Sequence, residues 1–180
     1  MRSSHRLLLV VHPGDHLFIT ELHQRLGQHN LKYGVWGDGD WPDEAMQVLI
    51  ADQPDELGLW YRLATVSFMG SSLVPGYHSS NPLDAAALGT AILYGPYVRE
   101  HLQSYTRLAN AGAARMVSDV HSMASSLTEL ISPDIAADMA HAGWDVVTET
   151  AMVVDNVINL VQDSLDARDA RITGLKVVDE

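Results

Sequence analysis

Cysteine is absent from this chain of 180 residues. That removes disulfides, thiol catalysis, cysteine-built zinc sites and iron–sulfur clusters from consideration. Positive charge is scarce as well: 11 Lys and Arg stand against 23 Asp and Glu, a formal net charge of -12. Phosphate contacts supply most of the affinity of nucleic-acid binders, so the balance argues against a nucleic-acid partner. Stable docking on an anionic membrane is disfavoured for the same reason. A small anion held by local dipoles remains compatible with it. No run of 18 apolar residues occurs, so no segment reads as a membrane-spanning helix. The opening MRSSHRLLLVVHPGD holds only a short apolar run, broken by Pro13, which is too little for a signal-peptide core.

Several chemical signatures are missing too. There is no H-E-x-x-H, and His12 and His16, four apart, are separated by Pro13-Gly14 and cannot share a helix face. Asp38, Asp40, Asp43 and Glu44 lack the ligand pattern of a calcium loop and read as a polar turn. No metal site is expected, and no cofactor. G-x-S-x-G does not occur, so Ser71 and Ser72, although they follow a predicted strand, give little ground for a hydrolase triad. Neither the dinucleotide fingerprint nor the P-loop is found.

What is present is globular: 47% hydrophobic and 19% charged residues. A chain of this length buries roughly 70% of its unfolded surface and fills one domain. Residues 7–11 form a continuous apolar run of the kind that makes a buried parallel strand, and the strand segments 33–36, 46–51, 66–69, 91–94 and 115–117 follow. Between them lie helical segments, the first capped by Asp15. Others span 55–63, 81–88, a stretch ending near 111, 120–130, and 135–161 with a break expected near Gly143. The series Val146/Val147, Val154, Ile158, Val161, Leu165 has helical spacing and reads as a core face. The tail after about residue 165 reads as a solvated end. Strands alternating with helices predict an α/β fold, a Rossmann-like, doubly wound parallel sheet of about six strands. Four of the strands, 7–11, 46–51, 66–69 and 91–94, are expected to be buried in one sheet.

Ligands of such sheets sit at the carboxyl ends of the strands. The most informative loop there is GSSLVPGYHSSNPLD (70–84). A strand ends at Gly70, small residues follow, and a helix opens at Ser79-Ser80-Asn81 with Pro82 in its first turn. Free amides at a helix start attract phosphate, and small residues let it approach. Asp84, one turn in, is placed to accept from ribose hydroxyls. The same residues also make an ordinary helix start with Pro in its first turn.

Three segments, ELGLWYRLA (56–64), FMGSSLVP (68–75) and NPLDAAALGTAILYGP (81–96), taken together with AGAARMVSD (111–119), resemble the C-terminal domain of 3-deoxy-D-manno-octulosonic acid (Kdo) transferases. These are GT-B glycosyltransferases that move Kdo from CMP-Kdo onto lipid A precursors in lipopolysaccharide biosynthesis. The match runs through most of residues 7–165. It implies the CMP-sugar-binding, C-terminal half of a GT-B enzyme, with the phosphate at Ser79, Ser80 and Asn81, the ribose at Asp84, and Gly70, Ser71, Gly95, Pro96 and His12 around the donor. It implies no metal at the donor. It also implies an N-terminal acceptor domain elsewhere in a longer protein, without which this chain is expected to be inactive. The implied location is cytoplasmic, with full-length members at the cytoplasmic face of the inner membrane. The chain departs from the family pattern at several points. Ser79-Ser80 replace a Gly pair, Asp84 replaces Glu, Ala85 replaces Pro, Val11 and Asp15 replace Arg, and Glu100 replaces Asn. Lost basic and gained acidic residues predict weak binding of an anionic donor. The alternative reading is a diverged, non-catalytic Rossmann-like interaction module, and a third is a donor domain for another nucleotide sugar.

Overall fold

The computed structural model describes residues 7–14 and 17–175. Asp15, the predicted first cap, and His16 lie outside the described residues. Six strands alternate with helices: β1 (Leu9–Val11), α1 (Leu17–Gln28), β2 (Tyr33–Val35), β3 (Val48–Ile50), α2 (Leu57–Leu63), β4 (Val66–Met69), α3 (Pro82–Ala87), β5 (Ala91–Tyr94), α4 (Leu102–Asn110), β6 (Ala114–Met116), α5 (Val120–Leu130) and α6 (Pro133–Leu175). Every ladder is parallel, as the alternation predicts. The single six-stranded sheet is not formed. The strands make two three-stranded sheets, ordered β1-β3-β2 and β4-β5-β6. β3 is the centre of the first and β5 the centre of the second, and no ladder among the described residues joins an outer strand of one to the other.

The central strand of each sheet is covered on both faces, and side-chain alternation divides it between two cores. On β5, Ile92 and Tyr94 pack with Ala85, Ala86, Tyr105, Leu108 and Val146. Ala91 and Leu93 point the other way, to Val117, Leu130, Ala136 and Met139. On β3, Val48 and Ile50 meet Leu26 of α1, whereas Leu49 joins Trp60 of α2. The edge strands differ from expectation. β1 is not buried: Leu9 is 58% exposed, and Leu7 and Leu8 are exposed ahead of it. Only Val10 and Val11 reach the cores, because β1 is covered on one ladder edge alone. On β4, Ser67 and Met69 are buried and Phe68 is exposed.

Two local features set the second half of the fold. Asp119 caps α5 by accepting from the Ser122 amide at 2.7 Å, while the Ser122 hydroxyl accepts from the Asp119 amide at 3.1 Å. The Ser122 amide, then its hydroxyl, hold the Asp119 carboxyl below the ordinary aspartate range. The aspartate that closes the AGAARMVSD motif is thus a helix cap. The expected break near Gly143 does not occur, and α6 runs unbroken for 43 residues. A Cβ at Gly143 would stand 3.4 Å from the Ala86 Cβ and 3.5 Å from the Ala113 Cβ. The glycine lets α6 lie close against its neighbours, which offsets its usual cost of about 1 kcal/mol within a helix.

Inside the second sheet, the Ser67 and Thr90 hydroxyls share a buried hydrogen bond of 2.9 Å. Ser67→Ala is expected to destabilise the fold by about 1–2 kcal/mol, since it strips the near partner from a buried hydroxyl. Pairing it with Thr90→Val should recover part of that loss in urea unfolding. A double variant as weak as the sum of the singles would show that the two hydroxyls act independently.

Candidate functional site

The loops leaving β4 and β5 are clamped together at their roots. After β4 the chain makes a short turn, Gly70–Ser72. Ser72 is buried. Its hydroxyl donates to the Met69 carbonyl and accepts from the Gly95 amide at 2.6 Å, and its carbonyl accepts from the Tyr97 amide at 2.8 Å. A Cβ at Gly95 would lie 2.5 Å from the Leu73 Cα and 2.7 Å from the Leu73 nitrogen. Only glycine fits there. Gly70 and Pro96 are exposed beside this clamp and Ser71 is half-buried.

Beyond the clamp the two loops diverge. Residues 75–79 on one side and Tyr97, Arg99 and Glu100 on the other enclose a cleft of about 320 Å³. Ser79 lines it, is only 6% exposed, and its hydroxyl has no hydrogen-bond partner. A buried hydroxyl without a partner costs about 1–3 kcal/mol, a cost that a polar ligand atom removes. Arg99 gives the cleft a cation. Glu100 adds an opposing carboxylate, placed 2.6 Å from the His78 Nδ1.

The helix start next to the cleft is tightly organised. The Asn81 side chain caps α3, its Oδ1 accepting from the Leu83 amide at 3.2 Å and its Nδ2 donating to Asp84 Oδ1 at 3.4 Å. Asp84 is exposed one turn in. The Ser80 carbonyl accepts from the Tyr105 hydroxyl at 2.9 Å, which anchors the loop to the core. Burial, then the Tyr61 and Tyr94 phenols, push the Tyr105 phenol upward. Burial, then the Asp84 carboxylate, do the same to Tyr61. These phenols are neutral donors at any physiological pH. With only six residues, α3 contributes a small dipole, so anion binding here needs side-chain help.

The residues named from sequence thus fall into three places. Ser79, Ser80, Asn81 and Asp84 gather at the cleft and the helix beside it. Gly70, Ser71, Gly95 and Pro96 form or flank the clamp. His12 lies apart, at the end of β1 in the other sheet, with its Nδ1 2.8 Å from the Ala51 carbonyl. A carbonyl only accepts, so Nδ1 carries the proton. The cleft lies between the loops that leave β4 and β5, where sequence reasoning places a ligand, although it singles out none of Tyr77, Tyr97 and Arg99. Their signal was position, since 97 and 99 follow the carboxyl end of β5. Among the described residues no group of three or more His, Asp and Glu is placed to hold a metal ion. No described helix is long and apolar enough to cross a membrane.

No family model matches the chain. It is similar to curated Kdo transferases. Identity with the enzyme of Rickettsia felis is 29% over 111 residues, 62% of this chain and 24% of the relative. With that of Rickettsia conorii it is 25% over 136 residues, 74% of this chain and 29% of the relative. With a probable mitochondrial Kdo transferase of Arabidopsis thaliana it is 25% over 171 residues, 87% of this chain and 38% of the relative. The chain therefore spans only about a quarter to two-fifths of the length of these relatives. Its fold is like that of the crystallised C-terminal CMP-Kdo binding domain of WaaA from Acinetobacter baumannii, with a TM-score of 0.74 at 22% identity, over 78% of this chain and 74% of that one. The sequence likeness is to Kdo transferases, and the backbone likeness supports the α/β fold.

Proposed function

We propose that the cleft beside Ser79 and Arg99 binds the nucleotide of an activated sugar, CMP-Kdo, and that the chain is the donor-binding half of a Kdo transferase-like glycosyltransferase of lipopolysaccharide biosynthesis. The observation that carries this reading is the buried, unpartnered Ser79 hydroxyl sharing a cleft with the Arg99 guanidinium. An arginine offers a planar fork to phosphate oxygens, and a hydroxyl donates to a third. The amides of Ser80 and Asn81 follow Ser79 in the chain, and Asp84, exposed one turn on, is the carboxylate proposed to accept from a ribose hydroxyl. Glu100 works against the anion, as does the net charge of -12. Affinity for CMP is accordingly set at roughly millimolar, about -4 kcal/mol.

Transfer itself belongs to the longer protein. The attacking hydroxyl must be held beside the donor and relieved of its proton. Those duties fall to an acceptor domain outside this chain, at the cytoplasmic face of a membrane.

The test is a titration of the isotopically labelled chain with CMP, followed by amide NMR shifts. Shifts confined to residues 70–81 and 95–100, saturating in the millimolar range, are expected. Asp84→Glu, which restores the longer carboxylate of the family pattern, should tighten binding severalfold. Absence of shifts in both proteins at a roughly tenfold excess over that constant would overturn the reading and leave the non-catalytic interaction module in its place.

A further inference from the structure

The apolar series read from spacing as a core face is covered only at its start: Val146 is buried, but Ile158, Val161 and Leu165 are exposed. That half of α6 names no partner. The cleft between the loops after β4 and β5 is chemically more definite, because it holds a carboxylate that phosphate binding does not account for. Glu100 lines the cleft beside Arg99 and stands 2.6 Å from the His78 Nδ1. The His78 side chain is 92% exposed and that of Glu100 49%. A pair so open to water contributes little to stability. The fold has no need of it, and its negative charge opposes an anion.

The pairing does set the carboxylate in one orientation. A carboxylate only accepts, so the His78 Nδ1 carries the proton and donates to Oε1. Among the described residues Oε2 has no hydrogen-bond partner. It is a charged acceptor without a donor, one residue from the cation of the cleft. Residues Arg99–His101 form a single turn of 3-10 helix, in which successive side chains leave about 120° apart. The guanidinium and the carboxylate therefore diverge and serve different ends of one ligand. The walls between them include an aromatic ring from each loop, Tyr77 and Tyr97, both exposed. Such faces suit a planar ring, which stacks on them whatever its substituents.

A ligand that answers all of these features is anionic at one end and carries, on a planar ring at the other, a polarised N–H donor. We propose that Glu100 is the specificity-determining residue of the cleft: its outer oxygen accepts from the exocyclic amine of a cytosine ring, with His78 holding the carboxylate and the two tyrosines against the ring. This inference rests on the nucleotide reading above and adds the choice of base to it. Uracil is the sharpest competitor, since uridylate has the same ring size, ribose and phosphate. It places a carbonyl where cytosine has the amine, so two acceptors meet. Its ring N–H stands between two carbonyls, and a carboxylate reaching for it meets a lone pair on either side. Glu100 thus weakens every nucleotide by repelling the phosphate, and weakens uridylate further.

Parallel titrations of the isotopically labelled chain with CMP and with UMP, followed by amide NMR shifts, test it. Repulsion acts on both phosphates alike and cancels from the ratio of the two dissociation constants. CMP is expected to bind about tenfold more tightly than UMP. Glu100→Gln offers an amide oxygen to cytosine and an amide N–H to uracil, so the ratio should fall to within about twofold, with neither nucleotide binding more weakly than before. His78→Ala, which frees the carboxylate, should lower the ratio part of the way, a change that a merely structural histidine would not produce. Tyr97→Ala should weaken both nucleotides about tenfold and keep the ratio. Equal binding of CMP and UMP by the wild-type chain overturns the role of Glu100 and leaves the nucleotide reading standing, as does a ratio that survives Glu100→Gln. An unchanged ratio in His78→Ala overturns the part given to His78, and unchanged binding in Tyr97→Ala the stacking. Absence of shifts with either nucleotide overturns the nucleotide reading, and this inference with it.

Discussion

Replacing Gly95 by alanine is expected to cost about 3 kcal/mol of folding stability, an unusually large effect for one added methyl group. The new Cβ would fall 2.5 Å from the Leu73 Cα and 2.7 Å from the Leu73 nitrogen, and closer still to the Ser72 carbonyl oxygen. All three are backbone atoms, so no flexible side-chain end can turn away. Relief requires the turn after β4 to back off from the turn after β5. That breaks the bonds Ser72 accepts from the Gly95 and Tyr97 amides and strands the buried Gly95 amide, while the Ser72 hydroxyl keeps the Met69 carbonyl. Urea unfolding should show the midpoint falling with little change in slope. The cleft is hinged on the same clamp, so CMP shifts should vanish in this variant even at temperatures where it remains folded. Stability within about 0.5 kcal/mol of wild type would mean that the two loops are far looser than their hydrogen bonds indicate.

Arg99→Ala is expected to weaken CMP binding by about 10–100-fold, the worth of a hydrogen bond to a charged group. Arg99 is exposed at the mouth of the cleft, so the substitution should leave stability unchanged and isolate its part in binding. Arg99→Lys should recover only a fraction, because an ammonium lacks the fork that matches two phosphate oxygens. Glu100→Gln should act in the opposite direction and tighten binding. Titrating the four proteins under one ionic strength decides the matter. Equal affinity of wild type and Arg99→Ala would place the phosphate away from the cleft, on the amides of Ser80 and Asn81 alone.

The central strands were legible because both their faces are buried, so they appear as unbroken apolar runs. Residues 48–51 and 91–94 illustrate this. Residues 7–11 look the same in sequence and yet form a half-covered edge, since hydropathy records what a strand could bury and not what lies beside it. The division into two sheets was equally hidden, because pairing partners are set by tertiary topology and a ladder of three or four residues carries little sequence information. The continuity of α6 through Gly143 depended on two distant alanines, Ala86 and Ala113, whose small size rewards close approach. In the candidate site the Ser79–Asp84 region was visible from its turn chemistry and its family resemblance. The loop that carries Arg99 was legible from the strand end before it, but the arginine itself was not singled out, because what makes it matter is the clamp that folds its loop across from Ser79. The clamp in turn rests on one hydroxyl, Ser72, in a run of small residues where neither motif nor spacing distinguishes it from Ser71.

The half-covered β1 has a bearing on how the protein behaves as a colloid. An edge strand that presents a free ladder edge and uncovered leucines is a template for strand addition, and natural proteins commonly guard such edges with lysine or proline. Residues 7–11 contain neither; Pro13 comes only after the strand has ended. What keeps copies apart near neutrality is mutual repulsion from a net charge of -12. That protection is a property of the solvent as much as of the chain. It fades as acidity approaches the isoelectric point near 5.0 and as added salt shortens the range of repulsion, while the sticky edge is unaffected by either. Precipitation on mild acidification would therefore begin from folded molecules, at the head of the first strand, and would reverse on return to neutral pH.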